Sequence, residues 1–286
     1  MNPRGRKIVK ESPATAIRRK KYYRKIIIFF FCFITSIYLL SIASRADKLA
    51  ISKVVLENAT VVEEKDVKNV VDEVVDGSYL GIFSKRNVLI YPRKKIIRTL
   101  LEREKRIQTL FLNIENNTEL HIRVIERGGT YLWCGETPDE ANSSNCYFID
   151  SEGYIFDDAP YFSDNVYFKF YGKRNTDGDI IGSYFSETNN FEQLVKFANT
   201  VRSFGLMPRG IYVNADGDNE LILEKRGQTN APGVLFAKDA DLLKTANTLG
   251  SALSGEPLLS AMKDKYDKLE YLDVRFVNKV FYKFSE

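Results

Sequence analysis

Residues 26–44 read IIIFFFCFITSIYLLSIAS, nineteen positions without a charged side chain. So long an apolar run has few homes. At about 1.5 Å per residue it makes a helix of roughly 28 Å, close to the hydrocarbon thickness of a bilayer. The alternative is a cleaved signal peptide, for which Ser41-Ile42-Ala43 offers small residues at a cleavage site. Apolar cores of signal peptides run only about 7–15 residues, so an uncleaved transmembrane helix over 26–44 is expected. Before it, residues 1–25 carry ten Lys/Arg, among them Arg4, Arg6, Lys7, Lys10 and the Arg18–Lys21 cluster, against the single acid Glu11. After it comes only the mixed Arg45-Asp47-Lys48. The excess of basic residues predicts a cytoplasmic tail over 1–25, with residues 45–286 outside the cytoplasmic membrane.

Charge also narrows the partners. The tail carries +9 and the whole chain only +4, so everything after residue 25 sums to −5. A nucleic-acid-binding body needs a basic face, and none is expected here. Three cysteines are present. Cys32 lies in the apolar run, where it serves as a small apolar residue. Cys134 and Cys146 bracket the polar insert GETPDEANSSN. In an oxidising compartment, a disulfide closing that loop is the natural expectation. A metal site would need further ligands, and neither CxxC nor a nearby His accompanies them. The only histidine, His121, alternates with Leu120 and Ile122 and reads as a strand-face residue.

Beyond the membrane the pattern is α+β. A strand near ISKVVLE leads to Thr60 and Glu63, which have the spacing of a capping box. Val67, Val70, Val71, Val74 and Val75 follow at helical spacing, stopped by Gly77. A second helix starts near Pro92 and carries Ile96, Ile97, Leu100 and Leu101. Leu110, Leu112 and Ile114, the turn ENNT, then Leu120, Ile122 and Val124 form a hairpin pattern. This β-α-α-β-β order predicts a three-stranded sheet with two helices on one face. Further on, helices are expected over NNFEQLVKFANTVRSFG, KDADLLKTANTLGSALSG and the stretch from Pro257 to Leu269. The second of these presents Leu242, Leu243, Ala246, Leu249 and Leu253. RGIYVNADGDNELILEK reads as a hairpin and GVLFA as a strand. At the end, EYLDVRFVNKVFYKFSE alternates as two strands, Tyr271–Phe276 and Lys279–Phe284, around a tight connection at Val277–Asn278.

The β-α-α-β-β order, beginning just outside a membrane helix and ending in IRVIER, resembles a POTRA domain of the FtsQ/DivIB cell-division family. The tryptophan in GGTYLWC and the Asp150/Gly153 turn in YFIDSEGYIFDD are similar to the family's pattern. So are the closing YLDVRF strand and the final strand after it. The Cys134–Cys146 insert, Gly128-Gly129 and Val277 depart from it. The resemblance implies a POTRA domain over 45–127 and a β-domain, a mixed sheet with helices, over 128–286. It implies a bitopic, non-enzymatic divisome scaffold in the cytoplasmic membrane at the septum. Its partners would be FtsB-like and FtsL-like single-pass proteins and the septal peptidoglycan-synthesis machinery, and no cofactor would be required. The final strand would then be a sheet edge to which a partner adds a strand, with Arg275, Phe276, Val280, Phe281 and Tyr282 at the contact. The competing role for Phe276 and Tyr282 is core filling. A POTRA-bearing polypeptide-transport or envelope-assembly protein is the rival function; that class carries a carboxy-terminal β-barrel, for which this chain is expected to have no room.

Catalytic patterns are sparse. Asn214–Glu220 has oxygen side chains at alternate positions but lacks the distal glutamate of a calcium loop, so a hairpin turn is expected. Ser260 and Lys263 match Ser-x-x-Lys without the companion elements of penicillin-binding enzymes, and a solvated helix is expected there. Neither a phosphate-binding glycine loop nor a Ser/His or Cys/His constellation can be assembled.

Overall fold

The computed structural model describes residues 13–138, 146–162, 166–174, 177–215, 217–225, 231–276 and 278–286. Outside these lie Arg4, Arg6, Lys7, Lys10 and Glu11 of the tail, most of the insert between the two cysteines, Asp216 and Val277. The chain forms two compact units, one comprising the residues up to Arg103 with Thr109–Ile125, the other Glu104–Gln108 with Glu126–Glu286.

In the first unit, helix α1 (Pro13–Ser44) is longer than the uncharged run. Lys and Arg are good helix formers, so the helix continues through the basic cluster at 18–25. Its apolar part is long enough to cross a membrane. Strand β1 (Lys53–Glu57) and helix α2 (Glu64–Val75) follow, and all five valines of the α2 stripe are buried. The capping box is not formed. The helix begins after Glu63, three residues beyond Thr60, and Glu63 makes no side-chain cap hydrogen bond. Glu64 and Asp66 instead place negative charge in the first turn. A two-stranded hairpin, β2 (Ser78–Tyr79) and β3 (Phe83–Ser84), comes next, an element the residue pattern does not announce. Then come helix α3 (Arg93–Arg103), β4 (Ile107–Glu115) and β5 (Glu119–Glu126). The sheet order is β1-β5-β4, with β1 and β5 parallel. Ile96, Leu100, Leu110, Leu112, Leu120, Ile122 and Val124 complete the core, while Ile97 and Leu101 are half-buried. Asn116 and Asn117 take positive φ in the β4–β5 turn, which Asn tolerates.

The second unit is built on a nine-stranded mixed sheet, ordered β14-β13-β12-β11-β10-β9-β6-β7-β8. Its strands are β6 (Tyr131–Trp133), β7 (Tyr147–Ile149), β8 (Ile155–Asp158), β9 (Phe168–Gly172), β10 (Pro208–Val213), β11 (Asn219–Leu223), β12 (Gly233–Phe236), β13 (Leu269–Asp273) and β14 (Phe281–Phe284). Parallel pairs β9/β10 and β12/β13 need long crossovers. Helix α4 (Thr188–Ser203) supplies the first, and α5 (Leu242–Leu253) with α6 (Leu258–Lys265) the second. Phe191, Phe197, Val201, Ala246 and Leu249 of the helices meet Phe170, Ile211, Leu221, Val234 and Leu272 of the strands in one core. Leu243 does not join it. It is 70% exposed, because it falls one residue outside the stripe formed by Leu242, Ala246 and Leu249.

Strand alternation puts a second cluster on the other face, where Leu132, Cys134 and Tyr171 pack with Cys146, Phe148 and Tyr212. Cys134 and Cys146 are disulfide-bonded there, with Cα atoms 4.3 Å apart. The Asp150 carboxylate accepts from the backbone N–H of Glu152 (2.8 Å) and Tyr154 (3.0 Å), closing the turn in which Gly153 has φ +87°. A Cβ at Gly153 would meet the buried Phe191 ring at 2.9 Å. Arg127 pairs with Asp150 from the preceding segment and stacks 4.2 Å from the Tyr154 ring centre.

Candidate functional site

The closing strands are shorter than their alternation predicts. β13 runs Leu269–Asp273 and β14 Phe281–Phe284, in the register Leu272↔Tyr282 and Asp273↔Phe281. The facing ends of the two strands, Asp273 and Phe281, are eight positions apart in the sequence, too far for the expected tight turn. Asp273 is the cause. Its carboxylate accepts from the backbone N–H of Arg275 at 3.1 Å, an Asx-type turn that diverts the chain. Val274 still donates to the Leu235 carbonyl (2.9 Å), so it follows β12 while leaving β14. Asn278 takes φ +57° as the chain returns.

β14 is an edge of the nine-stranded sheet. Phe281 is 51% exposed, Phe276 51% and Tyr282 36%, so none of the three is core. Val280 and Phe284 lean on the core and hold the strand down. Phe276 and Phe281 pack edge to face with centroids 5.2 Å apart, and Tyr282 and Phe284 do the same at 5.7 Å. The two pairs involve opposite faces of β14, since side chains alternate along a strand. Lys279 is exposed, and Lys283 is paired with Glu270 at 2.7 Å.

Arg275 is already engaged. Its guanidinium donates to Asp273 from Nε (2.9 Å) and Nη2 (2.6 Å), and to Asp218 from Nη1 (2.7 Å). The hydrogen bonds from Arg275 hold the Asp273 carboxyl below its usual range against the opposing effect of burial. Each of its three nitrogens therefore already has a carboxylate acceptor within the chain, so a partner carboxylate would share the guanidinium with Asp273 and Asp218. Arg275 and Phe276, with Val274 and Asn278, also wall a cleft of about 410 Å³ whose other side is Lys244 and Thr245 of α5. The two-residue spacing of Asp273 and Arg275 was a readable sign that they face each other. Asp218, fifty-seven residues away, gave none.

Other candidates fall elsewhere. The Ser260 hydroxyl donates to Glu256 (2.8 Å), and Lys263 is exposed on α6. His121 lies on the helix-free face of the three-stranded sheet, 2.7 Å from Glu57. Among the described residues no group of three or more His, Cys, Asp or Glu is arranged to hold a metal ion. A scan against protein-family models and a search of curated proteins find no match to this chain.

Proposed function

We propose that this protein is a single-pass, non-enzymatic scaffold of the FtsQ/DivIB type, with an amino-terminal cytoplasmic tail and a body outside the membrane. On this reading the first unit is a POTRA domain and the second the family's β-domain. The protein gathers FtsB-like and FtsL-like partners at the division septum and couples them to septal peptidoglycan synthesis. The observation that carries the proposal is the β14 edge. A strand that is paired on one side and rich in exposed aromatics can accept a further strand through its main chain. Phe276, Phe281 and Tyr282 supply the residue types that dominate interface energetics, and Val280 anchors the strand that presents them. Arg275 contributes by bracing the end of β13 through Asp273 and Asp218, with its guanidinium 5.9 Å from the Phe276 ring centre.

The test is capture of the FtsB-like and FtsL-like partners by the full-length protein in detergent or nanodiscs. Tyr282→Ala and truncation after Asn278 are compared with wild type, with circular dichroism confirming the fold. Loss of at least about tenfold in affinity, or 1.4 kcal/mol, is expected for the truncation and a smaller loss for Tyr282→Ala. Wild-type affinity in both folded variants overturns the edge as the binding site.

A further inference from the structure

The segment 78–91 of the first unit is fastened to the carboxy-terminal end of α1. The Ser41 hydroxyl donates to the Ile82 carbonyl at 2.7 Å, and the Ser44 hydroxyl accepts the Ser84 backbone N–H at 3.2 Å. Asn87, 3% exposed, donates from its side chain to the Ser44 carbonyl at 3.0 Å, satisfying one of the acceptors that a helix end leaves open. Arg45 donates to the carbonyls of Gly81 and Ile82, both at 3.2 Å. Ser41 lies three residues before the last residue of the uncharged run, about 4.5 Å back along the helix axis. The β2–β3 hairpin is therefore fastened to the last turn of the apolar run and to Arg45 just after it.

What the segment displays is apolar. Leu80 is 96% exposed and Leu89 78%, with Ile90 and Tyr79 also exposed. Leu80 is moreover at φ +51°, followed by Gly81 at φ +74°, with the Ile82 N–H donating to the Tyr79 carbonyl at 2.9 Å. That is a turn whose first central position favours Asn, Asp or Gly. Leucine there is strained and gains nothing from packing within the chain. Such outliers point to a role outside the fold. Asn87 projects the second leucine, since its side-chain oxygen accepts the Leu89 N–H at 3.0 Å. The Tyr79 hydroxyl, donating to the Ile90 carbonyl at 3.1 Å, ties the two apolar turns together.

We propose that Tyr79, Leu80, Leu89 and Ile90 form a membrane foot, seated in the boundary between headgroups and acyl chains of the leaflet that the carboxy-terminal end of α1 crosses. The occupant of this surface is lipid. Its attachment to the last turn of the apolar run brings the hairpin to the membrane boundary, and shallow burial of about 5–10 Å is what interfacial apolar residues achieve. Tyrosine is suited to that depth, with an apolar ring and a polar end. The foot fixes the tilt of the first unit against the bilayer, which a lone helix cannot do. The inference rests on α1 spanning the membrane.

The experiment uses the full chain with Cys32→Ser in nanodiscs containing lipids with a bromine or nitroxide quencher on the acyl chain. An environment-sensitive fluorophore is attached in turn at Leu80→Cys, Leu89→Cys, Ile34→Cys within the span, and Lys68→Cys on the exposed face of α2. Leu80 and Leu89 are surface positions, so labelling leaves the core intact, and circular dichroism checks it. Quenching at positions 80 and 89 is expected to be several-fold above that at 68 and to approach that at 34. Quenching at 34 but only background at 80 and 89 overturns the foot and leaves the span standing. Background at 34 as well overturns both.

Discussion

At the scale of single residues, His121 is where solution conditions reach the structure. It lies on β5 with Glu57 of β1 at 2.7 Å, Glu119 at 3.5 Å and Glu115 of β4 at 3.6 Å. Arg123 shares Glu57 at 3.0 Å, and Lys53 reaches Glu119 at 3.7 Å. The hydrogen bond to Glu57 raises the His121 pKa above its ordinary 6.5. Hydrogen bonds from His121 and Arg123 lower Glu57, and those from Asn116 and His121 lower Glu119. The histidine's stabilisation is complete below its unfolded pKa and is lost as pH rises through the higher folded value. The glutamates' stabilisation is complete above their ordinary 4.5 and is lost as pH falls. The first unit is therefore expected to be most resistant to heat between about pH 5 and 6. Its melting temperature should decline on the alkaline side; His121→Gln should flatten that limb and shrink the acidic one without abolishing it, because Arg123 still holds Glu57 and Asn116 still holds Glu119. A wild-type melting profile that is level from pH 6 to 9 contradicts this. Alternation in the sequence placed His121 on a strand face with Glu119 two residues before it, but Glu57 and Glu115 come from strands that only folding brings beside β5.

At the scale of elements, the residues most legible in the sequence are those whose periodicity agrees with their burial. The five valines of α2, Leu110 and Leu112 of β4, Leu120, Ile122 and Val124 of β5, and Phe191, Leu194, Ala198 and Val201 of α4 are core as their spacing predicts, while Ile114 near the end of β4 is only half-buried. The closing hairpin was legible as a pair of strands but not in its extent, because Asp273 turns the backbone toward Arg275 and no period-2 pattern records such a turn. The start of α2 was misread for a related reason: Thr60 and Glu63 have capping spacing, yet the first intrahelical acceptor is the carbonyl of Glu63 itself. The disulfide belongs to this scale too. Bridging residues twelve apart, it removes about 3 kcal/mol of unfolded-chain entropy in the loop-closure model. It lies between β6 and β7, and β6 is six strand spacings, roughly 29 Å at about 4.8 Å each, from β14. Cys134→Ala is therefore expected to lower the unfolding free energy by up to that amount while leaving partner capture at wild-type affinity. A loss of capture in a folded Cys134→Ala protein would show that the far side of the sheet takes part.

At the scale of the whole molecule, orientation across the membrane governs every other proposal. The tail brings ten basic residues to one end of the apolar helix, whereas Arg45 and Lys48 with Asp47 are all that flank the other. Basic residues resist translocation, so the asymmetry favours the proposed orientation, with the amino terminus inward and residues 45–286 outward. The disulfide between Cys134 and Cys146 is compatible with the oxidising side. The proposed partner edge at β14 requires the same orientation. A cysteine placed at Glu286 in a Cys32→Ser chain should react with a membrane-impermeant maleimide in intact cells or spheroplasts. Its labelling should match that of a known external control. Replacing Arg18, Arg19, Lys20, Lys21, Arg24 and Lys25 by Gln should reduce that labelling, because the bias that selects one orientation is then mostly removed. If Glu286→Cys becomes reactive only after the membrane is opened, the body is cytoplasmic. The partner edge would then face the wrong compartment, and the scaffold reading would fall with it.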